Sequence, residues 1–375
     1  MFKDLHIRDY DFKLILLIIC VNVIGILAVG SANSSNQGKF LACSVMGFFL
    51  MVVISLFDYT IFLRFYWLWY IVNLGLLVAV RIAGNSVNNA QRWFEVFGIR
   101  FQPSETAKIL LIIFFAQFIM KYRDRINNLK FLFCFAFLAA VPLYLILDQP
   151  DLSTTIVLFL LISVMLFVGG ISWKYILAAF AVAVPAVIAF LSIILKEGQK
   201  LIDDYQRKRI LSFIYPEKYV DDAYQQTNSV IAIGSGQLWG KGYNNDVISS
   251  LKNGNFIIMP DTDFIFAVIG EELGFVGTLT VIVLLFLIVI ECFMIGRRAK
   301  DTGGRVIACA MGTLIGIQTF FNVGVATFLL PNTGLTLPFI SYGMTSLISM
   351  YIGMGFVLNV RFRSGQTGRE KREVF

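Results

Sequence analysis

The chain has 375 residues, of which 58% are apolar and 15% charged, with a net charge of +7. Soluble domains hold roughly 45–50% apolar and about 25% charged residues, so this composition excludes a domain wrapped in a water-facing surface. The single histidine precedes the first apolar run, and all five cysteines lie inside apolar runs; the cysteines read as small core hydrophobes, and no disulfide framework, His base or His metal centre is expected.

Apolar runs able to cross the roughly 30 Å hydrocarbon layer as helices fall near residues 14–30, 40–57, 65–82, 106–120, 131–147, 152–169, 174–195, 264–295, 306–330 and 337–360. They are continuous rather than alternating, which favours helices over a barrel in a medium that leaves no backbone group unpaired. The expected fold is an all-α polytopic membrane protein of about ten transmembrane helices, one domain over residues 1–375. The first run has a mildly basic lead-in and small residues at Gly30–Ser31–Ala32, as a secretory signal does; with the other spans behind it, it reads as an uncleaved helix. Basic residues gather at Lys121–Lys130, Arg297–Arg305 and Arg361–Arg372, which places those segments and both termini in the cytoplasm. The Lys121–Lys130 loop also suits anionic membrane lipid. The positive balance thus follows topology, and no soluble basic domain exists to bind nucleic acid.

Polar residues concentrate in the segments expected outside. Segment 82–105 carries Arg92 and Trp93, readable as an interfacial anchor pair or as a site. Glu105 and Lys108 follow on a helix expected to begin near Pro103 and Ser104, where a three-residue spacing puts them on one face. They read either as a structural ion pair or as a receiver for an anion such as phosphate. Asp148-Gln-Pro-Asp151 precedes the sixth span, with Asp151 expected as its cap. A large loop spans about 196–263, with an amphipathic stretch at Lys200–Arg209, a Tyr-Pro-Glu turn at 215–217 and a glycine-rich run at 234–242. Its turn residues suggest irregular backbone over the bundle, and Arg207, Lys208 and Arg209 read equally as a solvated face or an anion contact.

Asp261-Thr262-Asp263 opens the eighth span, and either aspartate suits a helix cap. Asp263, Ala267, Gly270, Gly274 and Gly277 fall on one helical stripe, with Glu271 to the side and Glu272 nearly opposite. Small residues on that stripe admit a close neighbour, so Asp263 is expected to face the protein interior at the outer mouth, where a carboxylate suits proton abstraction from a hydroxyl. The last outer turn, Leu330-Pro-Asn-Thr-Gly-Leu-Thr-Leu-Pro-Phe-Ile-Ser-Tyr-Gly343, reads as a packed re-entrant turn or as the wall of a groove.

Taken in order, Ala90-Gln-Arg-Trp93, Gln102-Pro-Ser-Glu-Thr-Ala-Lys108, Gln149-Pro-Asp-Leu152, Arg209-Ile-Leu-Ser-Phe213, Tyr224-Gln225, Ile231-Ala-Ile-Gly-Ser-Gly236, Gly240-Lys-Gly242, Thr262-Asp-Phe-Ile-Phe266, Gly270-Glu-Glu-Leu-Gly274 and Leu337-Pro-Phe-Ile-Ser-Tyr-Gly343 resemble the SEDS family of bacterial cell-wall proteins (RodA, FtsW, SpoVE) over nearly the whole chain. The chain departs from that family's pattern at Asp261, where His is usual, at Asn89 and Ser153, where Gly is common, and at Ala223, where Gly usually precedes Tyr-Gln.

The resemblance implies ten helices and polymerisation of lipid II into glycan strands at the outer face of the bacterial cytoplasmic membrane. It also implies a class B penicillin-binding protein transpeptidase as partner. Asp263 matches the family's essential aspartate, and Arg92, Trp93, Glu105 and Lys108 match its polar outer cavity. Arg209 and Ser341 join them as substrate-binding candidates, and Asp261 with Asp263 could hold a divalent cation, Mg or Mn. The expected chemistry has Asp263 as general base, inversion at the sugar carbon, and Lys108, Arg92 or Arg209 at the pyrophosphate leaving group. Rival readings are a lipid II flippase and a non-catalytic scaffold. A flippase favours paired polar sites at both membrane faces, and the cytoplasmic side offers only basic loops.

Overall fold

The computed structural model describes residues 10–87, 90–96, 99–178, 204–244 and 259–373, with the isolated positions 181, 185 and 192. Its helices are α1 (Phe12–Ala32), α2 (Ser34–Leu56), α3 (Tyr59–Arg64), α4 (Tyr66–Ala83), α5 (Pro103–Lys121), α6 (Leu129–Leu147), α7 (Leu152–Val168), α8 (Asp204–Ile214), α9 (Val220–Ser235), α10 (Ile265–Arg298), α11 (Thr302–Ala326) and α12 (Met344–Glu373). Eight of the described helices are long and apolar enough to cross a membrane, and the apolar α7 is shorter. The expected span 174–195 opens in helical backbone at 173–178 and lies largely outside the described residues. In the apolar window of α5, 78% of residues are buried, against 33% in α6. Helix α5 is therefore a central post, and it is the one that carries Glu105 and Lys108.

One end of the bundle is closed by charge. Lys13 reaches the buried Glu291 at 2.5 Å, Arg361 lies 3.7 Å from Asp11, and Arg363 lies 3.0 Å from Asp58. The Tyr59 hydroxyl donates to Asp301 at 2.6 Å. The starts of α1, α3 and α11 and the apolar end of α12 thus meet at one face. The expectation of basic loops alone at this end is corrected: carboxylates are present and paired, as burial of charge requires.

The opposite end carries two departures from the expected helices and irregular loops. Residues 85–101 include a three-stranded antiparallel sheet of β1 (Asn85–Val87), β2 (Ala90–Val96) and β3 (Ile99–Phe101). Phe94 pairs with Phe101, an aromatic partnership of the kind that stabilises such ladders. The described part of the large loop is helical rather than irregular. In α9 the residues Ala223, Gln226, Ser229 and Ala232 are buried, and their three-residue spacing lays one face of the helix on the bundle. Positions 200–203 of the expected amphipathic stretch lie outside the described residues.

Helix α10 breaks at Gly274, whose φ of 64° and ψ of −160° are non-helical and accessible to glycine alone at low cost. The break frees two carbonyls and two amides, which lipid cannot satisfy. The segment after α9 takes all four: Lys241 and Gly242 donate to the Glu271 and Glu272 carbonyls, and Phe275 and Val276 donate to the Gln237 and Leu238 carbonyls. The expected stripe through Gly277 is therefore interrupted, and burial is not confined to the stripe. Both glutamates are buried, Glu271 with Lys241 at 2.8 Å and Glu272 against the Ser31 hydroxyl. Gly236 and Gly240 make the approach possible, since a methyl on either would overlap the carbonyl oxygen of Gly270 or Glu272. Gly236→Ala is expected to destabilise the protein by about 1–3 kcal/mol. Gly234→Ala, two residues away with nothing within 4 Å of the added methyl, is expected to stabilise it by about 0.5–1 kcal/mol. Thermal unfolding of the two variants in detergent checks the opposite signs.

Candidate functional site

The turn before α10 is held by its backbone. Three successive carbonyls are taken: that of Asp261 by the Tyr342 amide at 2.8 Å, that of Thr262 by the Ser341 hydroxyl at 2.7 Å, and that of Asp263 by the Asn322 side-chain amide at 2.9 Å. The cap position of α10 is Phe264, without a side-chain bond, so neither aspartate caps the helix as expected. Asp261 is instead buried, its Oδ2 accepting from Asn36 Nδ2 at 2.7 Å. The Ser341 hydroxyl also accepts from the Leu337 amide at 2.8 Å, so it braces the 331–343 loop.

The Asp263 side chain looks across Gly334 at Arg209. A methyl built on Gly334 would lie 3.4 Å from Asp263 Oδ2 and 3.5 and 3.8 Å from Arg209 Nη1 and Nη2. Gly334 has φ +69°, so its backbone conformation favours glycine here, and an added methyl would sit in ordinary contact with both groups. The result is an opening about one atom wide between a carboxylate and a guanidinium. Arg209 comes from α8 and donates to the Asn332 carbonyl at 3.3 Å. Burial pushes the Asp263 carboxyl above the usual carboxylate range; the Arg209 charge opposes that rise and the Asp261 charge adds to it. Such a carboxylate is a stronger base than an exposed one. Among the described residues no three His, Cys, Asp or Glu side chains gather as a metal site.

The other polar residues form a second cluster around α5. Lys108 Nζ lies 2.6 Å from Glu105 Oε1, and the two side chains are only 1% and 9% exposed. Arg92 donates from Nε to the Gln149 carbonyl at 2.9 Å and from Nη2 to that of Pro150. Asp151 caps α7 as expected, accepting from the Thr154 amide at 3.1 Å. Trp93, on β2 opposite Asn85, is half-buried. The first turns of α12 join the two clusters: Thr345 Oγ1 accepts from the Gln102 amide and donates to the Arg100 carbonyl, and Ser346 meets Thr336 at 3.0 Å.

A family model for the cell cycle proteins FtsW, RodA and SpoVE matches residues 11–366. The chain belongs to the FtsW/RodA/SpoVE family. It is 36% identical over 355 residues to the peptidoglycan glycosyltransferase MrdB of Escherichia coli strain K12, covering 93% of each chain. It is 32% identical over 377 residues to the probable peptidoglycan glycosyltransferase FtsW of Wigglesworthia glossinidia brevipalpis, covering 96% of this chain and 95% of that one. The Thermus thermophilus rod shape determining protein RodA superposes with a TM-score of 0.69 at 26% identity, over 94% of this chain and 96% of that one. A chain from a peptidoglycan synthase complex that coordinates polymerization and crosslinking superposes with a TM-score of 0.79 at 26% identity, over 95% and 99%.

Within this family frame, sequence reading missed the amides that hold the site. Asn36, Gln226 and Asn322 carry no motif of their own, and their signal is a lone amide in or beside an apolar helix, where an unpaired polar group is costly. The Glu105–Lys108 pair was visible, and its burial decides its energetics. Lys108→Met alone is expected to destabilise the protein by about 3–5 kcal/mol, because it strands a buried carboxylate. Glu105→Gln combined with Lys108→Met is expected to recover most of that loss. Unfolding of both single variants and the double variant in detergent measures the coupling.

Proposed function

We propose that this multi-pass membrane protein is a peptidoglycan glycosyltransferase polymerising lipid II at the outer face of the bacterial cytoplasmic membrane, with Asp263 as general base. The names of its relatives support the activity, and the opening between Asp263 and Arg209 is the observation that carries the mechanism. A GlcNAc 4-hydroxyl placed there gives its proton to Asp263 as its oxygen bonds to the MurNAc C1 carbon of a second lipid II. The C1–oxygen bond to pyrophosphate breaks, undecaprenyl pyrophosphate leaves, and C1 inverts. The lipid tail of each substrate stays in the bilayer while the sugars reach the sheet end of the bundle.

Of the three cations considered for the leaving group, Arg209 fits best. Lys108 is enclosed and neutralised by Glu105, and Arg92 is turned to two backbone carbonyls. Arg209 stands beside the base with its guanidinium at the opening, where a preorganised charge stabilises a developing anion most. A magnesium or manganese ion fits only as a cation carried by the pyrophosphate. Asp261 is already bonded to Asn36 and Asp263 is kept for the proton, so the ion's ligands would be phosphate oxygens and water. A class B penicillin-binding protein is the proposed partner, supported by the likeness to a peptidoglycan synthase complex that joins polymerization to crosslinking.

Purified protein with lipid II is expected to form glycan strands that Asp263→Asn does not form, at an unchanged melting temperature; EDTA is expected to slow the wild type. Full activity of Asp263→Asn would remove it as the base. The pH dependence has a definite sign. The base works when ionised, so kcat/KM rises with pH through the raised Asp263 pKa. Asp261→Asn removes a like charge and is expected to move that limb to lower pH. Arg209→Gln removes the opposing charge and is expected to move it to higher pH, with a lower maximal rate.

A further inference from the structure

We propose that Asn322 is the positioning residue for Asp263: one buried amide nitrogen ties the aspartate's turn and the Gly334 loop to α11, and so sets the opening between Asp263 and Arg209. This deepens the reading of Asp263 as the base and rests on it. Asn322 Nδ2 donates to the Asp263 carbonyl at 2.9 Å and to the Leu335 carbonyl at 2.7 Å. Its two hydrogens go to two different loops, one at the reactive aspartate and one at the neighbour of Gly334. The residue is 1% exposed, and its Oδ1 has no partner among the described residues. The site therefore uses the amide as a double donor, and the acceptor end plays no part.

The remaining bonds show why this residue differs from the other braces. Ser341 and Tyr342 also hold the turn, at Thr262 and Asp261, but both belong to the 331–343 loop. They fasten one non-helical segment to another. Asn322 sits in α11, four residues before its end, and fastens the pair to the bundle. Arg209 has its own tie to the loop through Asn332, and α8 is followed by α9, whose Gln226 holds the Val325 and Leu330 carbonyls. Asn36 still ties the Asp261 side chain to α2 and Asn22 the Phe339 carbonyl to α1, but loss of the Asn322 amide removes the bond at the Asp263 peptide itself, so the Asp263 carboxylate can shift relative to the guanidinium while the fold stays assembled.

Displacement of a reacting group by about 1 Å costs on the order of 10²-fold in rate. Asn322→Ala is accordingly expected to lower kcat for lipid II polymerisation by about 10²-fold with little change in KM. Asn322→Asp, of the same shape without the donors, is expected to do the same. Asn322→Ser, which keeps one donor, is expected to recover part of the rate. The charged groups acting on Asp263 among the described residues are Arg209 on α8 and Asp261 in its own turn. Separation from Arg209 is therefore expected to move the acid limb of kcat/KM upward in Asn322→Ala, which a mere loss of folded protein would not do. The experiment measures kcat, KM, the pH profile and the melting temperature for wild type and the three variants. A wild-type kcat and acid limb in the folded fraction of Asn322→Ala would overturn the proposal. Asp263→Asn in the same assay separates the two readings: if it is inactive while Asn322→Ala is normal, only the positioning role fails, and if it is fully active, the base fails first.

Discussion

Unpaired backbone is the constraint on which this structure depends. A membrane protein can leave its helical ladder only where other groups take the freed carbonyls and amides. The chain does so at the Gly274 break in α10, at the turn 259–264 and along the loop 331–343. Each departure is matched: the segment 237–242 exchanges four bonds with the break, and Asn322, Ser341, Tyr342 and Gln226 hold the turn and the loop. The same loop is held from α1, where Asn22 donates to the Phe339 carbonyl at 3.0 Å and Gly25 lets the Ile340 backbone come close. These irregular passages are stiff because every exit from the helix is stitched to a neighbour. Stiffness of that kind suits a site that must hold a carboxylate and a guanidinium a fixed distance apart.

Charge is distributed by the same economy. At the closed end, Lys13–Glu291, Asp11–Arg361 and Asp58–Arg363 neutralise one another and fasten the helices. At the sheet end the polar residues divide into two groups with different fates. Glu105 and Lys108 are sunk into α5 and cancel each other, so their field at a distance is small; they stabilise the central helix and its junction with the sheet. Asp263 and Arg209 face one another across a glycine that leaves the space between them unfilled. Motif membership does not distinguish these groups, since all four belong to the ordered set shared with the family. Depth and pairing do: Lys108 is buried against Glu105, whose Oε2 has no partner among the described residues, whereas Asp263 and Arg209 stand opposed with room for an atom between them.

Most of the helical frame was legible without coordinates. Apart from 174–195, which lies largely outside the described residues, the apolar runs locate the spans, with ends up to about seven residues off, because hydrocarbon imposes both length and helical hydrogen bonding. The cap at Asp151, the helix start at Pro103 and the Glu105–Lys108 contact follow from spacing alone. The sheet at 85–101 was missed because short strands of alternating Phe, Val and Ile resemble the amphipathic ends of spans. The burial of Glu271 and Glu272 was missed for another reason. Helical periodicity assumes a continuous helix with one outward face, and near its break α10 instead has Glu271 and Glu272 covered by α1 and by a segment some thirty residues earlier in the chain, while Leu273, Phe275 and Val276 stay exposed.

The sequence by itself determined that this protein lives in a membrane, which residues could carry chemistry there, and, through ordered motifs, the family to which it belongs. Those properties depend on composition and on contacts within a few residues. Only the tertiary structure decided which candidates act together. It brought Arg209 from α8, Gly334 from the last loop and Asp263 from the turn before α10 to one point, and it gave Ser341 and Lys108 protein partners of their own. It also revealed Asn322, a residue with no motif, as the link between them. The physical reason is that hydrogen bonds between carbonyls and distant amides leave no local periodicity to read, because their partners meet only after the helices have packed.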